Sequence, residues 1–257
     1  MRLSPLLLLL PTLAFAQDLQ DILKPFLEAA DHNGEKAGQY TYVEQADHFS
    51  FDKNGQAKKF SSETCDIIFV EGGAFRKLVA RNDAPLDPKE QAKEDKRLQA
   101  FATLRRKQAH SGVFHKNFQL GSNDDLLTLF DCRLTGEEEV RARKAWVVEC
   151  APKVGHRPVD AREKQVMAFQ RKLWIDQLDY AVARKVFTVV GPGVDMTPGS
   201  TFSWEFEKIA AEVWMQTSGV IAGHLQFAKL IKPQVRTEYE DSKFQKFDVQ
   251  STITVEK

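Results

Sequence analysis

Thr201-Phe202-Ser203-Trp204-Glu205-Phe206-Glu207-Lys208-Ile209 alternates apolar and polar side chains over most of its length. A period of two is the mark of a strand with one dry face and one wet face. Phe202, Trp204 and Phe206 share a side, and Ser203 and Glu205 are expected to face water or a rim. Strand patterns spread outward from this stretch. Strands are expected near 125–134, 143–151, 167–177, 180–190, 200–209, 211–217, 223–230, 233–240 and 243–255, with Gly136, Gly155, Gly191-Pro192-Gly193, Pro198-Gly199, Gly219 and Pro233 in the connections. Evenly spaced strands separated by turn residues predict an antiparallel sandwich or barrel.

The N-terminal part adds helices and a meander. Leu19, Ile22, Leu23, Phe26 and Leu27 recur at helical spacing, which predicts a helix over 18–30. Asp18 or Asp21 can cap it, Pro25 threatens to kink it, and Gly34 and Gly38 are expected to end the pattern. Tyr40 and Tyr42 open a strand. Asp52-Lys53-Asn54-Gly55 is expected to make a tight primed turn into a strand over 58–70, because Asn-Gly tolerates positive φ. Gly72-Gly73 turns the chain into a third strand over 75–80. The segment 87–108 is a helix with Asp87 as N-cap, Pro88 in its first turn and a highly charged body, suited to lie solvated across an edge.

The first sixteen residues address the compartment. Arg2 precedes an apolar run from Leu6 to Phe15, and Ala14-Phe15-Ala16 is an A-x-A cleavage site. Residues 1–16 are therefore expected to be a signal peptide, and residues 17–257 a single β-rich domain beginning at Gln17. The apolar run is too short to span a bilayer. No cysteine near the cleavage site offers a lipid attachment point, so the expected mature protein is soluble, in the periplasm or outside the cell. With 36 basic and 36 acidic residues, the chain lacks the basic surplus that a nucleic-acid partner requires.

Export permits disulfides. Cys132 and Cys150 flank a polar turn over 136–143 and face each other if the hairpin pivots near Arg141. They are either bonded, which stabilises by about 3 kcal/mol in the chain-entropy picture, or two buried thiols. Cys65 is left over and expected to be buried.

Catalytic patterns are absent. The six histidines form no H-E-x-x-H or His-x-His arrangement, no G-x-S-x-G elbow, G-x-G-x-x-G or P-loop occurs, and no S-x-x-K motif serves as a nucleophile signature. No enzyme activity, cofactor or metal is expected. Aromatic loading stands out instead: Trp174, Phe187, Phe202, Trp204, Phe206 and Trp214 all fall on expected strands. They make either an ordinary core face or the apolar wall of a ligand groove, since both use the same alternation.

Several stretches carry a family resemblance. They are Tyr40-Thr41-Tyr42 leading to the 52–55 hairpin, residues 77–86 before the charged helix at Glu90, Phe130-Asp131, residues 145–149, and Leu173-Trp174-Ile175-Asp176 with Asp179-Tyr180. Together they resemble the outer-membrane lipoprotein-sorting (LolA-like) proteins over most of residues 17–257. The resemblance implies an α+β fold, mainly antiparallel β: a strongly curved half-open β-barrel covered by helices. It implies an apolar concave face that takes a lipid or lipoprotein acyl chain, with the six aromatic residues above as candidate ligand contacts. Relatives also use the scaffold to bind other envelope proteins, so an interaction or stress-sensing module is the alternative.

Overall fold

The computed structural model describes residues 18–110, 126–227 and 230–247. The expected signal peptide, the Gln17 start and the strand tail over 248–255 lie outside the described residues. The elements are α1 (Leu19–Ala37), β1 (Tyr40–Phe51), β2 (Ala57–Val70), β3 (Gly73–Arg81), β4 (Ala84–Pro85), α2 (Pro88–His110), α3 (Leu126–Leu129), β5 (Phe130–Val140), β6 (Arg143–Pro152), α4 (Ala161–Val166), β7 (Phe169–Asp176), β8 (Val182–Val189), β9 (Thr201–Ile209), β10 (Val213–Phe227) and β11 (Leu230–Lys246). The strands form one open antiparallel sheet in the order β4-β3-β2-β1-β11-β10-β9-β8-β7-β6-β5. Two meanders, β1–β4 and β5–β10, are joined edge to edge by β11, which pairs with β1 on one side and β10 on the other.

The sheet curls around α1. Asp18 caps the helix by accepting the Gln20 N–H, and Gly38 closes it with its own N–H turned back to Gly34 and Lys36. Pro25 and Gly34 both sit inside the helix, which is longer than the expected 18–30, so neither acts as the stop its residue type suggests. Ile22, Leu23 and Phe26 are buried against Trp146 and Val148 of β6, Leu173 and Ile175 of β7, and Phe187 and Val189 of β8, with Ile221 of β10 packed alongside. One helix touching strands that span half the sheet requires the sheet to be strongly curved. The face that α1 covers is called the inner face below. Asn33 ties the end of α1 to the sheet: its side chain accepts the Trp214 N–H at 2.7 Å and donates to the Trp214 carbonyl at 2.8 Å. It stands in for a neighbouring strand beyond the point where the β10–β11 ladder stops, at Ser218↔Glu240.

The other helix protects an edge. On the side away from β2, β3 pairs only briefly with β4. Glu94 of α2 accepts the Leu78 N–H at 3.0 Å, Arg105 donates to the Gly72 carbonyl at 3.0 Å, and Arg97 donates to the Arg76 carbonyl. Charged side chains thus take hydrogen bonds that a foreign strand would otherwise seek. A small apolar patch, with Val70, Phe75 and Ala102 buried and Leu98 and Phe101 packed on it, holds the helix there.

Several connections differ from expectation. The segment 52–56 is a five-residue loop in which the Asp52 carboxylate accepts the Asn54 and Gln56 N–H groups, rather than a two-residue primed turn. The next turn uses Glu71-Gly72, not Gly72-Gly73. Arg141-Ala142 and Ala210-Ala211 have both residues at positive φ, as does Asn82-Asp83. The stretch expected as a strand at 211–217 and the part of 223–230 up to Phe227 are one strand, β10, and the stretch at 233–240 and the part of 243–255 up to Lys246 belong to β11. Gly219 stays inside the ladder, and Pro233 falls where the pairing with β10 is irregular, between His224↔Gln234 and Gln226↔Ile231. The start of the strand expected at 125–134 is the short helix α3, and α4, capped by Asp160 accepting the Glu163 N–H, was not anticipated.

The β7–β8 turn is organised by two carboxylates. Asp176 is 1% exposed and accepts the Leu178 and Asp179 N–H groups at 3.0 and 2.8 Å. Arg143, at the start of β6, donates to both of its oxygens at 2.6 and 2.7 Å and reaches Asp179 at 2.9 Å. Asp179 also accepts from Lys208 at 3.0 Å and from the Trp214 indole at 3.1 Å. Burial pushes the Asp176 carboxyl up, but Arg143 and the two backbone N–H groups outweigh it and hold the group below the usual carboxylate range. Asp176→Ala removes the bidentate partner of Arg143 and unties the turn, and is expected to cost about 3 kcal/mol, read as a lower urea midpoint with an unchanged slope.

Candidate functional site

The register sorts the six aromatic residues. Phe187 faces Phe202 across β8 and β9, and Lys185 faces Trp204. Trp204 in turn faces Gly219 of β10, and Phe202 faces Ile221. Directly opposed residues share a face, so Phe187, Phe202 and Trp204 lie together on the inner face. Their rings interlock: Phe187–Trp204 at 5.4 Å edge-on, Phe202–Trp204 at 6.1 Å, and Phe169–Phe202 at 5.2 Å edge-on. Phe206 continues the alternation. Gly219 is required here, because a Cβ at that position would lie 2.9 Å from Trp204 Cδ1. The indole therefore lies down over the β10 backbone.

Trp174 does not share this wall. It faces Arg184, which faces Glu205, so it belongs to the opposite face. There its indole N–H donates to Glu138 at 2.8 Å, and Lys172 and Arg184 sit 4.9 and 5.4 Å from its rings. Trp214 is opposite Lys208 and is buried in a second cluster with Trp174, Val147 and Ala183, against which Phe206 packs. Phe187, Trp174 and Trp214 are 1%, 6% and 7% exposed, which makes them packed core. Phe202, Trp204 and Phe206 are half-buried. The six residues therefore do not form one surface: three are filled interior, and three form a partly open aromatic strip along β9. Glu205 points away from the strip, held by Arg184 at 2.7 Å and by Arg141 at 3.3 Å.

Cys132 and Cys150 are directly opposed on β5 and β6 and are bonded. Cys65 is a buried free thiol whose burial pushes its pKa up to about 11, which leaves it unreactive.

Beyond the aromatic strip the inner face turns polar. Tyr239 and Asp241 of β11 lie opposite Ala46 and Glu44 of β1. Arg76 donates to Glu44 at 2.5 Å and to Glu63 at 3.2 Å. Asp241 accepts from Gln216 at 3.0 Å through one oxygen, while its other oxygen is buried without a hydrogen-bond partner among the described residues. A cleft of about 540 Å³ opens near this seam, lined by Arg141, Glu207, Glu238, Glu240 and Phe244 among others, and by none of the six aromatic residues. No sequence pattern announced this cluster, because its members come from five separate strands.

No family model matches the chain, and no curated protein matches it. Solved structures are similar along most of its length. An outer membrane lipoprotein-sorting protein domain from Vibrio parahaemolyticus is 12% identical, covering 86% of this chain and 91% of that one with a TM-score of 0.42. A LolA superfamily protein from Nitrosomonas europaea is 11% identical, covering 88% and 94% with a TM-score of 0.40. MucB in complex with MucA from Pseudomonas aeruginosa is 11% identical, covering 90% and 99% with a TM-score of 0.26. At such low identities and TM-scores, no family, ligand or partner is carried over to this chain. Among the described residues no helix is long and apolar enough to cross a membrane.

Burial, then the neighbouring charge of Glu44, push the Asp241 carboxyl up to about 7, against the opposing pull of Gln216 and Arg76. A carboxyl whose pKa is raised by folding contributes stability that is fully present below its ordinary value and is lost as pH rises through the folded value. The wild-type melting temperature is therefore expected to fall between about pH 4 and 7 relative to Asp241→Asn. Parallel curves across that window would show that Asp241 does not ionise in step with folding.

Proposed function

We propose that this chain is an exported, non-enzymatic envelope protein, acting as a single unit over residues 17–257, that binds the acyl chain of a lipid or lipoprotein on its inner face. The observation that carries this reading is the half-buried strip of Phe202, Trp204 and Phe206, left beside the part of the inner face that α1 fills. Apolar rings kept partly in water cost free energy unless something covers them. An acyl chain is a suitable cover: each buried CH₂ contributes about 0.8 kcal/mol, so a long chain could supply on the order of 10 kcal/mol before ordering costs. The Cys132–Cys150 bond supports an oxidising compartment such as the one the A-x-A site predicts.

A second reading, a protein-interaction module, is favoured by the core beneath α1, where Phe187 and its neighbours are buried. On that reading the same strip receives an apolar segment of a partner protein.

The mutation pair Trp204→Ala and Phe187→Ala separates wall from core. Trp204→Ala is expected to weaken binding of a fluorescent fatty-acyl probe by about tenfold, the loss of roughly two methylenes' worth of contact, with a small change in melting temperature. Phe187→Ala is expected to cost about 3–5 kcal/mol of stability. No probe binding by the wild type, together with capture of an apolar peptide, would move the conclusion to the interaction module. Mass spectrometry of the exported protein is expected to find Gln17 at its N-terminus.

A further inference from the structure

The aromatic strip carries a cation. Lys185 of β8 projects onto the inner face opposite Trp204. Its Nζ lies 4.9 Å from the Trp204 ring, 5.0 Å from Phe206 and 5.9 Å from Phe187. Neighbouring basic residues have carboxylate partners: Arg184 has Glu205 at 2.7 Å, Lys208 has Asp179 at 3.0 Å, and Lys172 has Glu138 and Glu149, each at 3.8 Å. Among the described residues, no carboxylate lies within ion-pair distance of the Lys185 ammonium.

A second positive group stands on the same face. Arg171 faces Phe187 across β7 and β8, and its guanidinium lies 5.1 Å from that ring. Phe187 thus has one cation 5.1 Å and another 5.9 Å from its ring. Desolvation, with a smaller contribution from Arg171, pulls the Lys185 pKa down to about 8, which leaves the amine mostly charged at neutral pH. Ring faces attract a cation, but they do not supply the opposite charge that a desolvated ammonium demands.

We propose that Lys185 anchors the carboxylate of a long-chain fatty acid, with the first methylenes of the acyl chain lying on Trp204 and Phe206. This rests on the acyl-binding reading of the strip and names the head group that goes with it. A single compact ammonium matches a singly charged carboxylate; a bidentate Arg fork would be the usual recognition of a phosphate. The aromatic faces on either side accept the methylene chain as readily as they accept the Lys185 stem. A neutral lipid would bury the same methylenes and leave the ammonium without a counter-charge.

The test compares ligands of equal chain length on the intact protein below their micelle concentrations: dodecanoate, dodecanol, dodecylamine and dodecyl phosphate, titrated by tryptophan fluorescence and calorimetry. Wild type is expected to bind dodecanoate about tenfold or more tighter than dodecanol, the size of one charge-assisted hydrogen bond, with dodecylamine weakest. Lys185→Met is expected to bind acid and alcohol equally, with the wild-type affinity for the alcohol, and Lys185→Arg to restore the preference. Equal affinities for acid and alcohol in the wild type, or a preference that survives Lys185→Met, overturns the anchor while leaving the acyl-binding strip intact. Tighter binding of dodecyl phosphate than of dodecanoate overturns the carboxylate assignment. Failure of all four ligands to bind, or binding unaffected by Trp204→Ala, overturns the strip itself. The wild-type comparison alone decides the matter if Lys185→Met fails to fold.

Discussion

An antiparallel sheet that curls without closing has an inner face wider than one helix can cover. That constraint organises most of what surrounds it. Ile22, Leu23 and Phe26 of α1 reach the strands from β6 to β8, and the buried rings of Phe169 and Phe187 complete that half of the interior. On the remaining half the chain places half-buried rings along β9, and beyond them a polar group built on Glu44, Arg76 and Asp241. The functional reading follows from this uneven filling. A second helix lying beside α1 would make an ordinary core.

Openness also leaves edges, and they are handled with polar chemistry. At β3, side chains of α2 take hydrogen bonds from the strand backbone, and β4 supplies a short added rung. Where the β10–β11 ladder parts, Asn33 supplies a matched donor and acceptor to Trp214. The same economy appears at the β7–β8 turn, where Asp176 and Asp179 gather Arg143, Lys208 and the Trp214 indole from three different strands. Each device satisfies backbone or buried polar groups that the curled geometry would otherwise orphan.

Much of the architecture was legible because it rests on local periodicity. The alternation through Phe202, Trp204 and Phe206 reads directly as β9, and the caps at Asp18 and Asp87 mark the helix starts. Turns were legible only where residue type and conformation agree. Arg141-Ala142 and Ala210-Ala211 adopt positive φ without Gly or Asn, a local cost that the paired strands on either side outweigh. Gly219 and Pro233 misled in the opposite sense: the first is a close-approach site under Trp204 and the second sits at a ladder irregularity, so neither breaks its strand. The candidate site was legible in part. Composition shows that aromatic residues accumulate, but the assignment of Trp174 to the far face depends on its pairing with Arg184, and the place of Lys185 beside Trp204 depends on the β8–β9 register. Neither is a property of spacing along the chain.

The position of β11 has a consequence for assembly. Tyr40 of β1 pairs with Lys246, and Ser218 of β10 pairs with Glu240, so among the described residues the first and second meanders meet through a strand that comes after both in the chain. Contacts between residues some two hundred positions apart are slow to form, because the loop entropy is lost before the pairing repays it. A chain threaded across a membrane from its N-terminus would emerge with two half-sheets, each with a bare inner edge, and could not complete the curl until β11 arrived. Among the described residues, the two half-sheets are joined into one curled sheet only by the last strand of the chain order.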